Sequence, residues 1–145
     1  MLMKYSITLA MSFATFDAAA YFPSDAALSL LMHSSRNGAD SQLCLSIDSK
    51  IASDSFVAMA AAKNIRISPI MGCKYNKENE TVTDQQTGKK ACFMHISDFM
   101  KTGATLATAK VSINCGFMSS SSGTAVFLRS SNRWVFKEVK VAIVE

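Results

Sequence analysis

Hydrophobic and polar positions change their period along this chain of 145 residues. From Ser24 to about Arg36 the apolar residues recur at helical spacing. Leu28, Leu31 and Met32 form one face, with Ala27 and Leu30 beside them. Ser24 can cap the free N–H groups at the start, and Asp25 suits the positive helix end. Asn37-Gly38 supplies a stop, because glycine accepts the left-handed conformation. LCLSI at 43–47 reads as a short strand. Ser53-Asp54 then opens a second helix, SDSFVAMAAAKN, with Phe56, Val57, Ala60 and Ala61 on its inner face and Asn64 at its end. IRISPI at 65–70 is predicted to be extended, because Pro69 cannot sit inside a helix and pushes Ser68 to an extended geometry.

Beyond residue 90 the period becomes two. ACFMHI at 91–96 is one strand. Over 104–115, Ala107, Ala109, Val111, Ile113 and Cys115 fall on one face, and Thr108, Lys110, Ser112 and Asn114 on the other. MSSSSG at 118–123 reads as a turn or small loop, TAVFLR at 124–129 as a strand and SSNR at 130–133 as a tight connection. WVFKEVKVAIVE is the last strand, with Val135, Val139, Val141 and Ile143 on one face and Trp134 and Phe136 on the other. Helices first and strands later predict an α+β domain. Its expected form is two N-terminal helices packed on one face of a curved antiparallel sheet. That sheet is a meander of four or more strands, paired in chain order because the connections after residue 97 are short.

The N-terminus changes the expected compartment. Lys4 is a one-charge start, YSITLAMSFATF at 5–16 is an apolar run of suitable length, and Ala18 and Ala20 match an A-x-A cleavage site. Residues 1–20 therefore read as a signal peptide, leaving 21–145 as a single domain in the periplasm or outside the cell. Ser6, Thr8, Ser12, Thr15 and Asp17 weigh toward the other reading, a segment docked on the core. The run is too short and too polar for a membrane span. Lysines and arginines number 15 against 11 acidic residues, a net charge of +4. Losing Lys4 and Asp17 leaves that unchanged. A mildly basic chain of this kind lacks the footprint of a nucleic-acid binder.

Cys44, Cys73, Cys92 and Cys115 stand 29, 19 and 23 positions apart. No close pair suggests zinc, so four spaced cysteines behind an export signal read as two disulfides. Cys73 and Cys92 bracket the most polar stretch, KYNKENETVTDQQTGKK at 74–90. A bond there would close a loop of about 20 residues and contribute about 3 kcal/mol. That ranks Cys73–Cys92 with Cys44–Cys115 first. Cys44–Cys73 with Cys92–Cys115 is the alternative.

Candidate chemistry is sparse. His95 lies in a strand three residues after Cys92, on the opposite face. Asp48 ends the CLSID strand, where a turn aspartate is the ordinary reading. No nucleophile elbow, phosphate loop or calcium loop occurs. Asn79-Glu80-Thr81 is a glycosylation sequon, relevant only to a eukaryotic secretory pathway. The last two strands carry Arg129, Arg133, Lys137 and Lys140 with Phe127, Trp134 and Phe136 interleaved, and Trp134 and Phe136, on one face, could stack on a ligand. A core tryptophan is the plainer reading.

The ending SGTAVFLRSSNRWVFKEVKVAIVE, after helix, strand, helix and a polar hairpin, resembles the NTF2-like or cystatin-like cone folds. CLSID, SPIMGC and GKKACFMHI resemble parts of small secreted bacterial proteins of unknown function. The resemblance implies a fold and an exported location, but no activity. The acid–base dyads of NTF2-like enzymes have no evident counterpart.

The leading expectation is an exported, disulfide-stabilised protein without catalysis or cofactor, acting by binding. Candidate ligand-binding residues are Trp134, Phe136, His95 and Asp48, and the occupant would be a protein or a small ligand. Two rivals are a cone-fold hydrolase or isomerase using His95 or Asp48, and an immunity or inhibitor protein presenting the 74–90 loop.

Overall fold

The computed structural model describes residues 22–37, 42–116 and 120–144. The signal peptide expected at 1–20 and the Gly38 stop lie outside these residues. Helix α1 runs Ser24–Asn37. Its buried stripe is Ala26, Ala27, Leu30 and Leu31, while Leu28 and Met32 are only half-buried. The helix is thus turned slightly from the expected face. Burying a leucine fully contributes about 1.5–3 kcal/mol, so Leu30 and Leu31 are its main anchors.

Strand β1 (Gln42–Ile47) turns back through Asp48 and Ser49, at φ 51° and 63°, into β2 (Lys50–Ile51). Two successive positive φ angles suit a tight hairpin whose twist matches its strands. Helix α2 (Asp54–Ala61) follows. The Ser53 hydroxyl accepts from the Phe56 N–H at 3.2 Å and caps it, and Asn64, at φ 62°, ends the segment. Phe56 and Ala60 are the buried residues of α2. Strand β3 (Ile67–Pro69) then lies parallel to β1, with Leu43 opposite Ile67 and Leu45 opposite Pro69. A short 3-10 turn leads to a separate hairpin of β4 (Cys73–Asn76) and β5 (Thr81–Asp84). Four long strands complete the chain: β6 (Ala91–Lys101), β7 (Leu106–Asn114), β8 (Ser120–Ser130) and β9 (Arg133–Val144).

The main sheet has seven strands, in the order β2-β1-β6-β7-β8-β9 with β3 also paired to β1. It is mixed, since β1 is parallel to both β3 and β6 and the other pairs are antiparallel. This corrects the expected curved antiparallel meander carrying two N-terminal helices. The reason is local. Helix α2 is a short crossover that returns the chain as β3 beside β1 in the same direction, so the sheet cannot be wholly antiparallel.

Two further corrections come from single residues. Positions 120–123, expected in a loop, are instead the first residues of β8, which begins at Ser120. In β9 the pairing passes from Phe127↔Phe136 to Val126↔Glu138, which leaves Lys137 as an extra residue. One extra residue flips the side-chain parity. Val139 therefore joins Trp134 and Phe136 against the core, while Val135 is exposed. The side chains of Val141 and Ile143 lie outside the described residues.

The core occupies the side of the sheet covered by α1. There Phe22, Leu30, Leu45, Met94, Ile96, Phe127 and Trp134 pack together. A smaller cluster lies on the opposite, outer side, where Cys44, Cys73, Val82 and Ala91 meet beneath the β4–β5 hairpin. The disulfides are Cys44–Cys73 and Cys92–Cys115, which corrects the pairing ranked first. Side-chain direction decides it. Cys44 faces outward from β1 toward β4, whereas Cys92 faces the inner core with Cys115 at the end of β7.

Candidate functional site

The polar face of β7 is the centre of an open surface on the outer side of the sheet. Residues paired across strands share a face, and register places two polar rows side by side. The first row runs Ser46, His95, Ser112 and Ser122 across β1, β6, β7 and β8. The second runs Ser97, Lys110, Thr124 and Lys140 across β6 to β9. Two adjoining open depressions of about 340 and 370 Å³ lie here, sharing His95, Ser112 and Ser122. Phe93 and Asn114 line the far end of the first.

His95 is exposed, and its Nδ1 lies 2.7 Å from the Ser46 hydroxyl. Either group can donate, depending on the tautomer. Both arrangements fix the ring through Nδ1 and leave Nε2 for a ligand. Ser46 itself is 4% exposed, so its hydroxyl is sheltered from a substrate approaching from solvent. The pair therefore works as an oriented imidazole rather than as an activated serine, for which the nucleophile must reach the reacting carbon.

Lys110 lies 3.4 Å from Asp98, both side chains well exposed. Such a pair contributes little and leaves the ammonium available. Asp98 is the extra residue of a β6 bulge, at φ 57°. Its N–H donates to the Asp48 carboxylate at 3.1 Å. Asp48 therefore ties the β1–β2 turn to that bulge.

A buried carboxylate anchors the layer beside this surface. Asp84, at 1% exposure, accepts from the Ser68 hydroxyl and from the Gln86 N–H, each at 2.9 Å. Burial pushes its carboxyl up, but hydrogen bonds from Gln86, Ser68 and Thr87 outweigh this and hold its pKa below the ordinary carboxylate value.

The four residues picked out by sequence are not brought together. His95 stands on the outer face and Asp48 in the turn at the end of β1. Trp134 is 5% exposed in the inner core, 5.4 Å from Phe99 between ring centroids, with the Arg129 guanidinium 5.4 Å above its ring. Phe136 is half-buried on that same inner side, against His33 and Phe127. Sequence reasoning missed Lys110, Ser112, Ser122, Thr124 and Lys140 as one surface. The alternation of β7 already put Lys110 and Ser112 on one polar face, but only register could add β8 and β9.

A further depression of about 550 Å³ lies between α2 and β3, lined by residues including Gln42, Val57, Arg66 and Thr87. Among the described residues no helix is long and apolar enough to cross a membrane. Comparison with known proteins gives no matching family model, no matching curated protein and no matching solved structure.

Proposed function

We propose that this protein is exported and acts by non-catalytic binding, with the outer face of β6, β7 and β8 as its binding surface. The observation that carries this reading is the contrast between the two sides of one sheet. The inner side is filled by α1 and the apolar core, whereas the middle of the outer side carries two open rows of hydroxyl, imidazole and ammonium groups. Polar groups that converge on an open depression suit recognition. The sheltered position of Ser46 favours binding over a serine–histidine hydrolase. Two disulfides suit an oxidising compartment.

The test compares the wild-type chain with a Ser112→Trp/Ser122→Trp variant, which fills the face without adding charge, as bait in the fluid outside the cytoplasm of the native cell. Circular dichroism and disulfide mapping confirm folding of both. A ligand or partner retained by the wild type and lost by the variant supports the reading. Equal retention by both would sink it.

A further inference from the structure

We infer that this outer-face groove takes an anionic saccharide, with the acidic group between Lys110 and Lys140 and the sugar hydroxyls on Ser112, Ser122 and Thr124. The inference rests on the reading of this face as the binding surface.

Charge complementarity is the first argument. Neither depression on this face is lined by a carboxylate. Lys110 and Lys140 are each directly opposite Thr124, one on either side of β8. Neighbouring strands lie about 4.8 Å apart, so the two lysine backbones are roughly 10 Å apart across the sheet. Lysine side chains on four-carbon stems can close that gap around one carboxylate or sulfate. The nearby acids are Asp98, paired with Lys110, and Glu138, two residues before Lys140 on the exposed strand. Asp98 belongs to β6, on the side of β7 away from β8 and Lys140, and Glu138 stands opposite Val126 rather than Thr124.

The second argument is the kind of polar group. Ser112, Ser122 and Thr124 each offer a hydroxyl that both donates and accepts, which matches a ligand whose own hydroxyls do the same. His95, held by Ser46, adds a ring nitrogen of fixed direction. Half-buried Phe93 closes the end of the groove with an apolar surface, suited to the C–H face of a sugar ring. A simple anion would leave the hydroxyl row unused, and a neutral sugar would leave Lys140 unanswered and Lys110 with only its exposed Asp98 partner.

The experiment titrates the full, disulfide-intact chain with trigalacturonate, followed by calorimetry and by amide chemical shifts. Maltotriose supplies hydroxyls without charge, and triglutamate supplies charge without hydroxyls. The expected result is saturable binding of trigalacturonate at least about tenfold tighter than either control, with shifts centred on β6 to β8. Lys110→Met with Lys140→Met weakens it by at least about tenfold and removes most of its salt dependence. Ser112→Ala with Ser122→Ala weakens it while leaving the salt dependence in place. Absence of trigalacturonate binding, or equally tight binding of triglutamate, would overturn the saccharide class alone if another ligand still shifts the β6–β8 amides. Trigalacturonate binding that shifts only amides elsewhere would overturn the reading of the face as well.

Discussion

The Asp25 carboxylate accepts from the backbone N–H of Trp134 at 2.9 Å, joining residues 109 positions apart. One helical turn on, the Ser29 hydroxyl accepts from the N–H of Phe136 at 2.8 Å. Strand β9 ends the sheet, and an edge strand presents unpaired N–H groups. Two side chains of α1, spaced i and i+4, satisfy two of them and fix the helix against that edge.

Asp25→Ala should therefore cost about 1 kcal/mol, the usual loss when a backbone donor loses its partner. Asp25→Asn, which keeps a carbonyl acceptor, should recover most of it. Urea unfolding followed by the fluorescence of Trp134 measures both. Equal midpoints for wild type and Asp25→Ala would mean that the helix is held by apolar packing alone.

Acid should weaken the hairpin anchor through Asp84. Its pKa is lowered in the folded protein, so the stability it contributes is complete above the unfolded value of about 4. That contribution is lost as pH falls through the lower, folded value. Asp84→Asn should be less stable than wild type at neutral pH and should lose less stability between about pH 5 and pH 2. Parallel acid limbs for the two proteins in chemical unfolding would contradict this.

How much of this was legible in sequence differs by element. The β7 alternation, the Ser53 cap and the Asn64 stop follow from local rules and could be read directly. The parallel placement of β1 could not, because β3 is three residues long and ends in proline. Side-chain parity was legible only as far as the first extra residue. Bulges at Asp98 and Lys137 shift Phe99 and Val139 toward the core, and no local signal marks them. The site was half visible for the same reason. Its β7 portion is an alternation, whereas its rows exist only once the register of β6, β8 and β9 is known.

Gly116 should resist substitution. It has φ 104°, and an added Cβ would collide with the Glu80 carbonyl oxygen at the hairpin. Gly116→Ala should cost about 1–3 kcal/mol. Gly88→Ala, also at positive φ but facing open space, should cost less. Thermal unfolding of the pair gives the comparison, and an equal loss at both sites would remove the role of the Glu80 contact.

On the outer face, Ser112→Ala and Ser122→Ala should each leave stability within about 0.5 kcal/mol of wild type, as for surface groups without a structural partner. His95→Ala should cost about 1 kcal/mol, because the buried Ser46 hydroxyl loses its bond to the ring. Ser46→Ala/His95→Ala should be less costly than the sum of the single changes. Strict additivity in that double-mutant cycle would mean that the two side chains do not interact.

The account of an exported, disulfide-stapled binding protein is tested most directly by intact mass. The full chain is expressed in a bacterium with its own N-terminus, alkylated with and without prior reduction, and digested without reduction. The predicted result is a chain beginning at Tyr21, four cysteines blocked until reduction, and peptides linking Cys44 to Cys73 and Cys92 to Cys115. A full-length mass with four free thiols would contradict the account, placing the chain in a reducing compartment and its cysteines among ordinary core residues.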